Sequence, residues 1–151
     1  MNIARRGRDL RETAAAVFFE AIMTGRTKRF FEFAKKMALM SEYGKFRHGA
    51  VLVKHGSIMS AGLNKDKPCS FGNRFRPKEL GDATIHAELA AILNVPRSQT
   101  EGSDVYVVRV GALEDLRNSK PCPMCQAALK FVGVKRVFYS LDDQSFEMLK
   151  L

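Results

Sequence analysis

Two short motifs, far apart in the chain, constrain the fold most. His86-Ala-Glu88 stands near the start of one predicted helix, and Pro121-Cys-Pro-Met-Cys125 stands at the start of another. A Cys-x-x-Cys segment at a helix start places both sulfurs on one turn, where the helix N-terminus lowers the cost of deprotonating them. If His86, Cys122 and Cys125 bind one ion, the fold must bring these two helix starts together.

This donor set, one imidazole nitrogen and two thiolate sulfurs, predicts one zinc ion per chain. Zinc takes such ligands tetrahedrally, and three protein ligands leave a fourth position for water. A zinc site of this kind lowers the pKa of bound water from about 15.7 toward about 7. Glu88 is not needed as a ligand, and we predict that it moves the protons of the reaction.

Each motif alone is a weak signal, because a Cys-x-x-Cys can be a redox pair or half of a structural zinc site. Together, in this order, the motifs match the zinc-deaminase signature His-x-Glu followed by Pro-Cys-x-x-Cys. The catalytic interpretation is therefore the leading one. A structural zinc in a nucleic-acid-binding module is the alternative from another class.

The whole chain is consistent with one intracellular domain. Its 151 residues, 46% hydrophobic and 27% charged, suit a single globular domain over residues 1–151. No apolar run approaches the roughly 18 residues that span a bilayer, so we expect no membrane partner. Three cysteines, two of them in one motif, indicate a reducing compartment, and we predict a cytoplasmic location.

The net charge of +9 is concentrated in two places. Residues 1–47 hold eleven Lys and Arg against five Asp and Glu, and residues 65–80 hold five against two. This distribution suits a nucleotide substrate or single-stranded nucleic acid. A solvated basic face without a partner is the alternative.

Apolar spacing predicts an alternation of helices and strands. Two basic helices are predicted within residues 1–47, where they pack on or flank the core. The first covers Leu10–Ile22. The second begins after Thr27 and carries an apolar stripe of Phe30, Phe33, Met37 and Met40. The later elements are a hairpin of Ala50–Val53 with Ser57–Ala61, a helix from Thr84 to Asn94, a strand over Asp104–Val110, a helix from Pro123 to Gly133, a strand over Lys135–Ser140 and a hairpin tail over Phe146–Leu151. This order predicts an α/β layered domain with a mixed sheet.

From Gly49 to Ser140 the chain resembles the cytidine deaminase-like superfamily. The resemblance is carried by Gly49–Val53, Ala61–Asn64, His86–Glu88, Pro121–Cys125 and Gly133–Tyr139. It implies a three-layer α/β/α sandwich with a mixed central sheet of about five strands, and a homo-oligomer. It also implies that Asn64 contacts a sugar and that backbone N–H groups near Ala87 and Cys122 contact the base.

The markers of the branches within this superfamily are mixed. Deoxycytidylate deaminases tend to have asparagine where this chain has Ala90, and Pro-Cys-Pro-Met-Cys occurs in guanine deaminases. A hairpin tail resembles cytidine deaminases, whose first ligand is usually cysteine rather than histidine. The leading hypothesis is deamination of a cytosine base to uracil, and deamination of adenine or guanine is the alternative.

The polar segment from Asn64 to Asp82 is predicted to be a long loop that sets specificity. Phe71 and Phe75 could stack on a base, while Arg74 and Arg76 could meet phosphates. The alternative is that the two phenylalanines fasten this loop to the core. Cys69 lies in the same loop, and we expect a free thiol there rather than part of a second metal site.

Overall fold

The computed structural model describes residues 25–151, and the predicted helix over Leu10–Ile22 lies outside them. The described helices are α1 Arg26–Leu39, α2 Ser70–Asn73, α3 Ala87–Leu93, α4 Arg97–Thr100 and α5 Pro123–Phe131, with a 3₁₀ turn at Lys78–Leu80. The strands are β1 Arg47–Lys54, β2 Ser57–Leu63, β3 Lys65–Pro68, β4 Thr84–Ile85, β5 Asp104–Val110, β6 Leu116–Arg117, β7 Arg136–Ser140 and β8 Phe146–Lys150. None of these helices is long and apolar enough to cross a membrane.

The main sheet of the described chain has six strands and is mixed. Its order is β2-β1-β5-β7-β8, and β6 pairs with the far end of β5. Only β5 and β7 run parallel, because the intervening chain crosses over through α5. The predicted tail hairpin is confirmed, since β8 returns antiparallel to β7. The predicted turn between β1 and β2 is also confirmed, and His55 and Gly56 both have positive φ there.

Helices cover both faces of this sheet. On one face α1 packs against Val51, Tyr106 and Phe138, and on the other α3 and α5 pack against Leu52 and Val107. Alternate residues of a strand point to opposite faces, so a strand that is buried on both sides carries a continuous apolar run. Residues 105–108 of β5 form such a run, between the partly exposed Asp104 and Arg109. The predicted three-layer α/β/α sandwich is confirmed, with one strand more than expected.

The buried face of α1 differs from the predicted one. It carries Phe30, Phe31, Ala34 and Ala38. The predicted stripe is wrong at Phe33 and Met40, which are 39% and 65% exposed. The small residues face the sheet because α1 crosses β1 very closely. A Cβ atom on Gly49 would lie 2.0 Å from the carbonyl oxygen of Ala34.

Other local predictions need correction. The segment Asn64–Asp82 is not a plain loop, since β3, α2 and the 3₁₀ turn lie within it. Thr84 does not cap α3, because Thr84 and Ile85 form β4 and pair with β3. The short elements β6 and α4 were not predicted. Two-residue to four-residue elements have too few positions to show a period.

Candidate functional site

The start of α3 is placed by close packing on the sheet. A Cβ atom on Gly62 of β2 would lie 2.6 Å from both the carbonyl oxygen of Ala87 and the amide nitrogen of Ala91. Only glycine allows this approach without displacing α3. His86 precedes the helix in an extended conformation, and its carbonyl accepts the first helical hydrogen bond from Ala90 N at 3.0 Å. The imidazole therefore stands at the very end of α3.

The start of α5 is built in the same way. Cys122 is extended at the N-cap position, and its carbonyl accepts a hydrogen bond from Gln126 N at 2.9 Å. Pro123 occupies the first helical position, where its missing N–H is not needed. Cys125 follows within the first turn and is fully buried. Both sulfurs consequently face the same side of this helix end.

These two helix starts meet, as the motifs predict. The Nδ1 atom of His86 lies 3.3 Å from Cys125 Sγ and 3.7 Å from Cys122 Sγ. All three donor atoms lie within 4.8 Å of one another, and residues 25–151 contain no other such group of three His, Cys, Asp or Glu side chains. One nitrogen and two sulfurs at this spacing fit the ligand set of a zinc ion with a further position left over.

The surroundings of the donor group act differently on the pKa values of its three members. A hydrogen bond from Cys125 lowers the pKa of the Cys122 thiol to about 4, and the hydrogen bond with His86 acts in the same direction. The hydrogen bond to Cys122, followed by burial, raises the pKa of Cys125 well above its usual value. The hydrogen bond with Cys122 raises the pKa of His86. Cys122 is therefore the more acidic of the two thiols, and its thiolate form is a ligand for a cation.

Glu88 lies in the first turn of α3, beside the donor group. Its side chain is only 4% exposed, which is unusual for a carboxylate. It lies within hydrogen-bonding reach of the Cys125 thiol, and its negative charge raises the pKa of both Cys125 and His86. The structure therefore holds a carboxylate next to the three ligands although no cationic side chain forms an ion pair with it among the described residues.

A cavity of about 310 Å³ opens onto this group. Its walls are formed by Tyr43, Phe46, His48, Asn64, Thr84, Ile85, His86, Ala87, Glu88, Ser119, Lys120 and Cys122. This volume is at the lower end of the roughly 300–1,000 Å³ typical of small-molecule sites. Of the residues predicted for substrate binding, Asn64 and Ala87 line the cavity.

The other predicted substrate residues lie elsewhere. Phe71 and Phe75 pack against each other and against Phe131 of α5, with ring centroids 5.3 to 6.5 Å apart. The guanidinium of Arg74 lies over all three rings. Arg76 donates hydrogen bonds to the carbonyl oxygens of Gly81 and Leu80. None of these four residues lines the cavity, although the charge of Arg76 opposes the rise in the pKa of His86.

Cys69 lies apart from the metal ligands. It is 4% exposed, and its backbone N–H donates to the carbonyl oxygen of Ala83 at 2.9 Å. It is a free thiol and lies outside the donor group.

A pair of buried serines that the sequence did not reveal positions the second motif. Ser119 Oγ donates to the carbonyl oxygen of Val107 at 2.9 Å and accepts from Ser140 N at 2.8 Å. The two hydroxyls also lie 2.9 Å apart. These bonds fasten the segment before Cys122 to the middle of β5 and to the end of β7. No spacing rule connects a serine in a loop with one at a strand end.

His48 is a further residue that sequence reasoning missed. It lines the cavity from β1. Burial lowers its pKa, and the charges of Arg109 and His86 act in the same direction against that of Glu88. His48 lies two residues before Ala50 on β1, and alternate residues of a strand point to the same face. This spacing was the available signal that His48 faces the side of the sheet that carries the metal ligands.

Comparisons with known proteins agree with this site. The model of the cytidine and deoxycytidylate deaminase zinc-binding region matches residues 24–141. A tRNA-specific adenosine deaminase of Agrobacterium fabrum is 33% identical over 99 residues, which cover 63% of this chain and only 51% of that enzyme. An uncharacterised deaminase in the luxG 3′ region of Aliivibrio fischeri is 30% identical over 122 residues, covering 79% of this chain and 75% of that protein.

A solved structure shares the fold. The apo crystal structure of dCMP deaminase from the cyanophage S-TIM5 superposes with a TM-score of 0.52 at 24% identity. The superposition covers 76% of this chain and 81% of the phage enzyme.

Proposed function

Because the chain belongs to the cytidine and deoxycytidylate deaminase zinc-binding family, we propose that it hydrolyses a cytosine base to uracil and ammonia. The observation that carries this proposal is the buried carboxylate of Glu88 beside the donors of His86, Cys122 and Cys125, at the floor of one cavity. A structural zinc site has no need of a buried acid at its edge.

The three ligands would hold the zinc, which supplies a Lewis acid that makes water nucleophilic near neutral pH. Glu88 accepts a proton from the attacking water and delivers it to the ring nitrogen N3. Glu88 then takes the remaining proton of that water from the oxygen now bound to C4 and passes it to the departing amino group, so that water and cytosine become uracil and ammonia. Its burial keeps this carboxylate away from bulk solvent while it moves between the two protonation states.

The base is oriented by groups at the helix start. Ala87 is the first residue of α3, so its N–H lacks a partner within the helix and can donate to the base carbonyl. Asn64 keeps one amide hydrogen for a sugar hydroxyl after its bond to the backbone of Phe46.

The substrate contacts that we propose are made by residues that line the cavity. Substrate contact by Phe71, Arg74, Phe75 and Arg76 stays a prediction. Two thiolate ligands suit a reducing compartment such as the cytoplasm, and assembly into a homo-oligomer also stays a prediction.

Deamination of adenine is the second candidate function. Two curated relatives, from Agrobacterium fabrum and Aquifex aeolicus, are named tRNA-specific adenosine deaminases at 33% and 31% identity. The description of the matching family model favours the pyrimidine, while the names of these relatives favour the purine.

The test is ammonia release by zinc-loaded protein from cytidine, deoxycytidine, their monophosphates, guanine, adenosine, and single-stranded oligonucleotides with one cytosine or one adenine. The proposal predicts turnover of a cytosine compound. Turnover of the purines alone would replace it with the second candidate. Zinc binding without turnover of any compound would favour the nucleic-acid-binding module.

A further inference from the structure

A second cavity adjoins the one that holds the metal ligands. Its volume is about 500 Å³, and it shares Tyr43 and Asn64 with the first cavity. Its remaining walls come from Met40 and Glu42, at the end of α1 and just beyond it, and from Leu63, Lys65, Asp66 and Lys67. The two cavities therefore lie on either side of one partition.

The partition is held rigidly by the amide of Asn64. Its Oδ1 accepts hydrogen bonds from Ser41 Oγ at 2.7 Å and from His48 N at 2.9 Å, and its Nδ2 donates to the carbonyl oxygen of Phe46. The side chain is 7% exposed. These bonds tie both ends of the segment that carries Tyr43 to the end of β2. A wall that is fixed before binding loses little entropy when a ligand arrives.

The lining of the second cavity suits a neutral, flat and polar ligand. Met40, Tyr43 and Leu63 supply apolar surface, and the side chain of Met40 is 65% exposed. Glu42 and Asp66 supply hydrogen-bond acceptors, Lys65 and Lys67 supply donors, and the two negative charges balance the two positive ones. Among the described residues none of these four charged groups forms an ion pair, so all can meet a ligand. Nucleobase edges present this mixture of donors and acceptors.

We infer that the second cavity binds the base of a nucleotide next to the target nucleotide, and that the substrate is a single-stranded oligonucleotide with Tyr43 between the two bases. The inference rests on the proposed function. A mononucleotide would leave the second cavity unused, and a base within a duplex cannot enter either cavity without being extruded. Aromatic side chains stack on any base, and the net charge of +9 attracts the connecting phosphates.

The test measures binding, so that it does not depend on turnover. Fluorescence anisotropy would give the Kd of a labelled single-stranded heptanucleotide with one central cytosine for the zinc-loaded Glu88→Gln protein. Matched strands would carry one abasic site, either directly 5′ of the cytosine, directly 3′ of it, or at the strand end. These strands keep every phosphate and remove a single base.

We expect an abasic site on one of the two flanks to weaken binding by about tenfold, in line with the loss of one stacked base, whereas the terminal abasic site has little effect. Tyr43→Ala should weaken binding to the parent strand by a similar factor and make it insensitive to the flanking abasic site. Lys150→Ala, an exposed lysine on β8, is the matched control and should bind like the parent.

Equal affinity for the parent strand and both flanking abasic strands would overturn the inference, since phosphates alone would then account for binding. Deamination of free cytidine monophosphate as efficiently as of the heptanucleotide by the parent protein would also overturn it. A protein that shows the flanking-base dependence but releases no ammonia from any compound would support base binding in the second cavity and refute the proposed deamination.

Discussion

The two faces of the central sheet are built from the same strands but hold very different interiors. The face under α1 is apolar and largely aromatic, with Tyr106 and Phe138 stacked at 4.6 Å and Phe31 against both Tyr106 and Phe146. The face under α3 and α5 is also packed with apolar side chains. At the starts of these two helices, however, it holds two thiols, an imidazole and a buried carboxylate. The first face serves packing, and the second positions chemistry.

The difference shows how a small domain can hold charged groups in its interior although they lower the stability of the fold. A buried carboxylate such as that of Glu88, and a half-buried thiolate such as that of Cys122, each lower stability unless they are paired or bind a metal. Aromatic packing on the opposite face supplies stabilisation that does not depend on the site. We therefore expect changes on the two faces to act separately, one on stability and the other on metal binding and turnover.

The largest expected effect is the loss of metal after a ligand is changed. Cys122→Ser should reduce zinc from about one ion per chain to nearly none after dialysis, because two remaining ligands hold zinc poorly. Atomic absorption measures this directly. The matched control is Cys69→Ser, a buried cysteine outside the donor group, which should keep its zinc. Retention of zinc by the Cys122 variant would contradict the assigned ligand set.

On the aromatic face, Phe31→Ala should lower the free energy of unfolding by roughly 3–5 kcal/mol. The ring is 3% exposed and contacts two other rings, so its removal leaves a cavity. Urea denaturation gives the value. Phe33→Ala on the same helix is the control, with an expected change within about 0.5 kcal/mol. If the folded Phe31 variant lost its zinc, the two faces would not be independent.

The thiolate on Cys122 gives the metal-free protein a distinct pH dependence. Because the pKa of this thiol is lowered to about 4, it stays ionised above that pH and becomes protonated only below it. Its alkylation rate by iodoacetamide should be nearly constant from pH 6 to pH 9, whereas that of an ordinary thiol rises by roughly 10² over the same range. Mass spectrometry of the modified peptide identifies the site. A rate that climbs with pH like that of a free thiol would contradict the lowered pKa of Cys122.

The smallest expected effect concerns the serine pair that supports the second motif. Ser119→Ala leaves the buried N–H of Ser140 without its acceptor, so the free energy of unfolding should fall by about 1–3 kcal/mol. Thermal unfolding followed by circular dichroism checks this. Exposed Ser98→Ala should change little. A Ser119 variant as stable as the parent would mean that other contacts fix the segment before Cys122.

The parts of the site that were predicted from sequence are those with strong local chemistry. The Cys-x-x-Cys spacing and Pro123 fix the start of α5. His86 can join the two cysteines as a metal ligand because it also precedes a helix, and this helix start was predicted from the local sequence. The layered fold followed from the alternation of strands and helices. In each case a short segment carried enough information to set its own conformation.

The parts that were missed depend on contacts between distant segments. The wall formed by Tyr43 and Phe46 depends on the amide of Asn64, some twenty positions away. The pairing of β3 with β4 removed Thr84 from its predicted cap. Phe71 and Phe75 resemble a base-stacking pair in sequence, but Phe131 lies beside them only in the folded chain.

The most direct test of the central claim compares Glu88→Gln with the parent protein on a substrate that the parent deaminates. Exposed Glu79→Gln serves as the control. If Glu88 moves the protons, its variant should hold as much zinc as the parent while kcat falls by roughly 10²–10⁴-fold. A variant that keeps its zinc and releases ammonia at the parental rate would contradict the account.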